Sequence, residues 1–161
     1  LTDIVFRVDG RDFEAHLTVL SQRAGAIFEI ARDYRKDNGD EEVVPIPGVE
    51  GDVFQTILEF IYCVRVPDID NEDIALKLLL AADRLGCTDL KLYVESTIVD
   101  KFLKASNAAK WLVTSDAHFC ALLKESAMEL YDSDADTVMK SDGWSNVEES
   151  PRLVLELLKF C

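Results

Sequence analysis

Alternating apolar and polar residues open the chain and predict a β-hairpin. Ile4, Phe6 and Val8 occupy every second position, so in an extended strand they lie on one face. The dipeptide Asp9-Gly10 follows, and it is favoured in the two-residue type I′ turns that join antiparallel strands. The alternation resumes over the next five residues, which are therefore interpreted as the second strand.

After the hairpin, the hydrophobic spacing changes to that of helices. Apolar residues three and four apart between residues 17 and 30 predict one or two short helices, with Gly25 between them. The polar stretch 32–42 (RDYRKDNGDEE) is interpreted as an exposed loop that carries one aromatic residue, Tyr34. A short strand is predicted next, and because Pro45 cannot donate a hydrogen bond within a sheet, we expect this strand at an edge.

Two amphipathic helices are predicted in the middle of the chain. Apolar stripes at helical spacing occupy residues 53–61 and 74–85. The second helix has Asp70 or Asn71 as a candidate N-cap, and Gly86 suits the left-handed position just beyond its end.

The last third of the chain is predicted to be helical throughout. One helix starts at Ser106 or Asn107, and the final helix starts at Ser150-Pro151, a serine N-cap followed by proline in the first turn. The pattern therefore predicts an α+β unit followed by an all-helical extension, with the boundary between residues 104 and 107.

Composition and charge exclude several classes of partner. The 161 residues suffice for one domain with a small appendage, and 48% of them are hydrophobic, which is enough for a core. The formal net charge is −14, so neither nucleic acid nor an acidic membrane surface is a predicted partner. No apolar run approaches the roughly 20 residues of a membrane helix, and no secretory signal pattern opens the sequence.

No pattern typical of a catalytic or metal site is found. The sequence has no GxSxG motif and no glycine-rich phosphate loop, and its two histidines lie in no recognisable nucleophile context. The alternating acids of residues 132–136 lack the glycine and glutamate of a calcium loop, so Asp134 or Asp136 is interpreted as a helix cap. The four cysteines are widely spaced and are expected to be free thiols. We therefore expect no cofactor and no metal, and a binding module rather than an enzyme.

Three segments resemble the BTB/POZ family in order and spacing. Residues 3–20 (DIVFRVDGRDFEAHLTVL) resemble the opening of that domain, and residues 54–62 (FQTILEFIY) resemble a helix that follows it. Residues 78–86 (LLLAADRLG) resemble a further segment of the family. The resemblance implies the BTB/POZ fold, which is a small mixed sheet with flanking helices.

The C-terminal part resembles a narrower group. Residues 107–117 (NAAKWLVTSDA) and 141–144 (SDGW) are similar to the helical extension of the speckle-type POZ protein group, in which a substrate-binding MATH domain precedes the BTB domain. In that group the extension is a three-box followed by a BACK-like region. The resemblance implies a BTB/POZ domain over residues 1–105 and a partial BACK-like extension over residues 106–161.

The function implied by this resemblance is that of a substrate adaptor of a cullin-3 RING ubiquitin ligase, located in the nucleus, the cytoplasm or both. The BTB domain would self-associate, as a homodimer or a higher oligomer, and would hold the N-terminal domain of cullin-3. The residues implied in cullin binding are Ile30, Tyr34, Tyr62 and Asn107. Residues 33–52 hold seven acids against two bases, a balance that favours a basic partner surface.

Several residues depart from the family pattern. Tyr34-Arg35-Lys36 stands where the family often has an apolar-x-Glu motif, which leaves a second hypothesis open: a homo-oligomerisation scaffold, transcriptional or cytoskeletal, that binds no cullin. Leu17 replaces the usual Lys or Arg after the histidine, so Asp3 is expected either to be unpaired or to meet Arg23.

The residues assigned to self-association lie near the two ends of the chain. One of the two adjacent leucines in the last helix is expected to be core and the other an interface residue. The full set is Leu1, Asp3, Leu157 and Leu158.

Overall fold

The computed structural model describes residues 2–40, 43–63 and 65–161, and these divide after residue 91 into two compact units. The first unit starts with strands β1 (Ile4–Val8) and β2 (Arg11–Ala15). Helices α1 (Leu17–Arg23) and α2 (Gly25–Asn38), strand β3 (Val44–Pro45), and helices α3 (Gly51–Cys63) and α4 (Glu72–Arg84) follow. Helix α5 (Thr88–Lys101) continues from the first unit into the second.

The second unit also contains α6 (Ala108–Ala117), α7 (Ala121–Ser133), α8 (Ala135–Lys140), α9 (Trp144–Glu148) and α10 (Pro151–Phe160). The chain thus has the predicted α+β architecture, a small mixed sheet and flanking helices followed by a helical extension. The division at residues 104–107 stays a prediction.

The hairpin forms as the sequence predicts. β1 and β2 are antiparallel with Phe6 opposite Phe13, and both turn residues have positive φ, 53° at Asp9 and 74° at Gly10. β3 pairs with β1 in parallel, so the sheet order is β2-β1-β3 and Pro45 lies on an edge strand. The edge position predicted from Pro45 is confirmed.

Aromatic residues join the sheet of the first unit to helix α3. The ring of Phe54 makes edge-on contacts with Phe6 at 5.8 Å and with Phe13 at 5.1 Å between centroids. Helix α3 also packs against α1 and α4. The buried stripe of α3 therefore lies in the core of the first unit, as its apolar spacing predicts.

Most of the predicted caps are found. The Asn71 side chain accepts the Ile74 N–H at 3.0 Å and starts α4, and Gly86 has a φ of 69° beyond its end. Asp134 caps α8 by accepting the Thr137 N–H at 3.3 Å. Local sequence chemistry alone therefore predicts these three helix boundaries.

A separate hydrophobic core holds the second unit together. The rings of Tyr131 and Trp144 stack 5.7 Å apart at its edge. Ser150 caps α10, with Pro151 in the first turn as predicted. The fully buried members of this core are Ala108, Ala109, Leu112, Ala127, Val138, Val147, Leu153 and Leu157.

Candidate protein-interaction surfaces

The predicted exposed loop over residues 32–42 is wrong for residues 32–38, because α2 continues through them to Asn38. Ion pairs between residues three apart, Arg32 with Glu29 and Lys36 with Asp33, stabilise the exposed side of this helix. The helix ends at Gly39, which has a φ of 99°. Tyr34 is therefore held on a helix, and residues 41 and 42 lie outside the described part of the chain.

Helix α2 places Ile30 and Tyr34 on one side. The two residues are four positions apart, so their side chains are neighbours, and both are half-buried. Asp33 and Asp37 are exposed and lie three residues beyond Ile30 and Tyr34 respectively, at the solvent edge of the same side. We call these four residues the acidic flank of α2.

Tyr62 lies at the end of α3 with its ring partly exposed. Its Oη accepts the backbone N–H of His16 at 2.7 Å and lies 2.9 Å from the His16 Nδ1. His16 thus has a structural, hydrogen-bonding role. The contact also fixes the hydroxyl of Tyr62 at the junction between β2 and α1, while part of its ring faces solvent.

Neither expected environment of Asp3 is found. Its Oδ1 accepts the N–H of Leu17 at 2.8 Å, and Arg35 Nη2 donates to its backbone carbonyl at 2.6 Å. His16 precedes α1 without a side-chain cap, so the first N–H of that helix needs an acceptor, and Asp3 supplies it. Asp3 therefore caps α1 from the position just before β1, whereas Leu1 lies outside the described residues.

Asn107 occupies the N-cap position of α6, but its side chain bonds backwards along the chain. Its Oδ1 accepts the Lys104 N–H at 2.8 Å and its Nδ2 donates to the Phe102 carbonyl at 2.9 Å. The amide thus orders the turn between α5 and α6. Asn107 belongs to the second unit, and the other three residues implied in cullin binding belong to the first.

Helix α10 separates its two adjacent leucines. Leu157 is 1% exposed and belongs to the core of the second unit, whereas Leu158 is 64% exposed. Leu155 is also exposed, three residues before Leu158 on the same side. The prediction that one leucine is core is confirmed for Leu157, and self-association through Leu158 stays a prediction.

An ion-pair cluster joins three helices of the second unit, and sequence reasoning missed it. Asp116 of α6 contacts Lys124 of α7 at 2.9 Å and Arg152 of α10 at 2.6 Å. Glu156 completes the cluster with contacts of 2.6 Å to both bases. Only the Arg152–Glu156 pair, four residues apart on one helix, had a sequence signal.

The cluster lowers the pKa of both of its carboxyl groups. Burial acts to raise the pKa of Asp116, but hydrogen bonds from Arg152 and Lys124 outweigh it. The hydrogen bond from Lys124 is the main cause of the lowered pKa of Glu156. Both carboxylates therefore stabilise the folded unit only while they are ionised.

The cysteines divide into two buried and two exposed thiols. Cys87 and Cys120 are buried, and Cys63 and Cys161 are exposed. Burial raises the pKa of the Cys87 thiol to about 11, so this group is a poor nucleophile at neutral pH. Within the described ranges, no three His, Cys, Asp or Glu residues are grouped closely enough to hold a metal ion. In the same ranges, no helix is long and apolar enough to cross a bilayer.

Comparison with known proteins agrees with the sheet, the helices and the motifs. The family model of the BTB/POZ domain matches residues 1–102. TD and POZ domain-containing protein 4 of Mus musculus is 34% identical over 156 residues, and TD and POZ domain-containing protein 2 of the same species is 30% identical. Each alignment covers 96% of this chain but 42% of the relative, so the chain spans less than half of those proteins.

A solved structure, the BTB domain of human gigaxonin, is also similar. It matches with a TM-score of 0.46 and 25% sequence identity over 58% of this chain and 74% of that one. BTB/POZ domains are generally non-catalytic modules that mediate oligomerisation and bind protein partners. Because the family model covers more than half of the sequence, the chain belongs to the BTB/POZ family.

Proposed function

We propose that the chain is the BTB/POZ and extension part of a non-catalytic substrate adaptor for a cullin-3 RING ubiquitin ligase, of the kind found in the speckle-type POZ (MATH-BTB) group. The observation that carries this proposal is the length of the similarity to the TD and POZ domain proteins. It runs over 156 residues, past the BTB/POZ match and through the helical extension.

The architecture of the relatives supports the same proposal. Their names pair a POZ domain with a second domain, TD, and this chain accounts for 42% of their length. An adaptor needs one part that holds the ligase and another that holds the substrate. In this proposal the chain is the ligase-binding part, and it acts in the nucleus, the cytoplasm or both.

The acidic flank of α2 is the proposed centre of the cullin surface in the first unit. Ile30 and Tyr34 provide an apolar and an aromatic contact, which are typical of interface anchors. Asp33 and Asp37 border them, so the complementary surface on the partner is basic. Tyr62 adds a partly exposed ring whose hydroxyl is already fixed. Asn107, in the second unit, is a separate proposed contact whose side chain orders its own turn.

Self-association into a homodimer or higher oligomer is the second part of the proposal. Leu158 and Leu155 form an exposed apolar strip on α10, which favours a contact between copies through the extension. Asp3 acts indirectly, because it fixes the start of α1 next to the sheet. Leu1 is kept as a proposed self-association residue.

One observation favours a scaffold that binds no cullin. Where the family often has an apolar-x-Glu motif, this chain has Tyr34-Arg35-Lys36, and Arg35 is directed to the backbone carbonyl of Asp3. The glutamate of that motif is thus missing, because Lys36 stands in its place. In the adaptor proposal, Ile30 and Tyr34 supply the contact from the same helix.

Calorimetric titration of the chain with the N-terminal domain of cullin-3 tests the two functions. We expect a dissociation constant in the micromolar range or below, weakened at least about tenfold by Tyr34→Ala, since interface tyrosines are frequent hot spots. Tyr93→Ala is the matched control, because Tyr93 is also a half-buried helical tyrosine, and we expect less than about a twofold change.

Absence of heat at tens of micromolar would overturn the adaptor proposal. If the same chain still forms oligomers in light scattering, the scaffold function replaces it. Equal losses from Tyr34→Ala and Tyr93→Ala would instead show that cullin binds but that the acidic flank is not its surface.

A further inference from the structure

A groove on the other side of α2 has a charge opposite to that of the molecule. The groove has a volume of about 320 Å³ and is open to solvent. Among the described residues, apolar side chains and three cations line it, together with one acid, although the whole chain has a net charge of −14. The lining residues are Leu17, Phe28, Arg32, Arg35, Lys36 and Asp40.

Helical spacing explains why these cations lie together. Arg32 and Arg35 follow Phe28 by four and seven residues, and Lys36 follows Arg32 by four, so all four side chains share one side of α2. Asp37 belongs to the opposite side with Ile30 and Tyr34, and Asp33 lies at the border, close enough to contact Arg32 and Lys36. We call the side with Phe28 the basic flank. Helix α2 thus carries two flanks of different charge that meet at Asp33, each with an apolar component.

Arg35 is held beside this groove by a contact within the chain. Its Nη2 donates to the Asp3 carbonyl at 2.6 Å, and its Nε is buried out of reach of a ligand. Arg35 therefore contributes fixed positive charge to the groove.

The other two cations are only weakly held by neighbouring acids. Arg32 pairs with Glu29 and lies 3.6 Å from Asp33, and Lys36 lies 3.8 Å from Asp33. All of these side chains are exposed, and exposed ion pairs of this kind contribute little free energy. A ligand carboxylate can therefore replace these partners at small cost.

We propose that the basic flank binds an acidic peptide segment of another protein that carries an apolar or aromatic side chain. The apolar side chain packs on Leu17 and Phe28, and flanking carboxylates accept hydrogen bonds from Arg32 and Lys36 beside the fixed charge of Arg35. The occupant is acidic because this groove gathers cations on an otherwise acidic molecule, and charge complementarity selects its partner. The site lies on the flank of α2 opposite the proposed cullin surface, so it is a second docking function.

Fluorescence anisotropy with a labelled peptide of sequence EDLFDE tests the site in the full chain. We expect saturable binding that weakens at least about tenfold in Arg32→Glu/Lys36→Glu. The milder double variant Arg32→Gln/Lys36→Gln must also weaken peptide binding. Its melting temperature is compared with that of the wild type, and an unchanged value shows that binding is lost through the missing charges and not through unfolding. The matched control is Lys101→Glu/Lys104→Glu, which makes the same change of net charge in another part of the chain.

Two control peptides separate the contributions of charge and apolar contact. QNLFNQ removes the carboxylates and EDGGDE removes the apolar side chains, and we expect each to bind at least about fivefold more weakly than EDLFDE. The proposal is overturned if EDLFDE shows no saturable binding at millimolar protein, or if QNLFNQ binds as well. It is also overturned if the control pair of variants weakens binding as much as the groove variants do.

Discussion

Gly86 and Phe119 occupy the same position relative to the helices that they follow. Each residue directly follows the C-cap of a helix. Each has a positive φ, 69° at Gly86 and 55° at Phe119. In each case the next N–H, of Cys87 or Cys120, donates to a carbonyl five residues earlier at 2.9 Å. The left-handed conformation costs glycine almost nothing, whereas it strains phenylalanine, whose ring is 88% exposed.

We expect opposite effects from substituting these two residues. Phe119→Gly relieves the strain and loses little packing, so the free energy of unfolding rises by up to about 1 kcal/mol. Gly86→Ala introduces the strain and places a Cβ 2.7 Å from the Cβ of Ala26, so stability falls by about 2 kcal/mol or more. Urea denaturation of both variants measures the difference. If both substitutions change the free energy of unfolding in the same direction, this account of the two helix ends is contradicted.

Burial also predicts which thiols react. At pH 8, Cys63 and Cys161 of the folded chain are expected to react with an aromatic disulfide reagent, with Cys161 slower because its pKa is raised by desolvation and by Asp132. Cys87 and Cys120 are expected to react only after unfolding in urea, since both are buried. If all four thiols react rapidly in the absence of urea, Cys87 and Cys120 are not buried as the structure describes.

At the scale of elements, helix α7 starts without a capping side chain of its own. Its N-cap residue, Cys120, makes no such bond, and Glu95 of α5 instead accepts the N–H of Leu123 at 3.3 Å. Glu95 is only 4% exposed. A carboxylate at a helix N-terminus is stabilised by the helix dipole and by the free N–H groups there.

Removing this remote cap should destabilise the chain. Glu95→Ala leaves a buried N–H without an acceptor, and we expect it to lower the free energy of unfolding by about 1–3 kcal/mol. Glu95→Gln keeps an acceptor oxygen and should cost less, and the exposed Glu125→Ala is the control. Equal stability of Glu95→Ala and Glu125→Ala in thermal denaturation would contradict the capping role.

The ion-pair cluster of α6, α7 and α10 makes stability depend on pH. In the folded chain the pKa values of Asp116 and Glu156 lie below their ordinary values of 3.8 and 4.5. The stability that these two carboxylates contribute is therefore complete at pH values above their ordinary pKa values. It is lost as the pH falls through the lowered pKa values of the folded chain. Against Asp116→Asn/Glu156→Gln, we expect the wild type to be more stable by about 1 kcal/mol at pH 7.

That advantage should disappear towards pH 3. Urea denaturation of both proteins across this range is the measurement. A stability difference that does not change with pH would show that the cluster contributes through packing rather than charge.

Sequence predicts the elements whose signals are local. The hairpin follows from Asp9-Gly10, the start of α4 from Asn71 and the start of α10 from Ser150-Pro151, because each acts on its own neighbours. The second half of α2 has no apolar stripe to indicate a helix, and so polar a segment is more typical of a loop.

For the candidate site, too, the sequence predicts what is local and misses what depends on folding. The spacing that places Ile30 beside Tyr34 becomes visible only once the segment is known to be helical. The acceptor role of Asp3 depends on a contact across 14 residues, and such pairings have no local signature. The arrangement of the site therefore had to come from the structure, although the residue types were available in the sequence.

At the scale of the whole molecule, charge and architecture support one functional picture. Acids outnumber bases by 31 to 17, yet α2 carries both an acidic flank and a basic flank within the first unit. The second unit has its own core, and the sequence similarity to the TD and POZ domain proteins includes it. In the proposed function, the two flanks and the extension serve as separate protein-binding surfaces of one BTB/POZ chain.

Light scattering on an equimolar mixture of this chain and the N-terminal domain of cullin-3, separated by size exclusion, tests the adaptor function most directly. At concentrations of about 50 µM, well above the expected dissociation constant, we predict one peak whose mass corresponds to one cullin domain per chain. Raising the salt should shift material back to the free proteins, because acidic side chains border the proposed contact. Two separate peaks, each with the mass of the unmixed protein at low salt, would contradict the adaptor function.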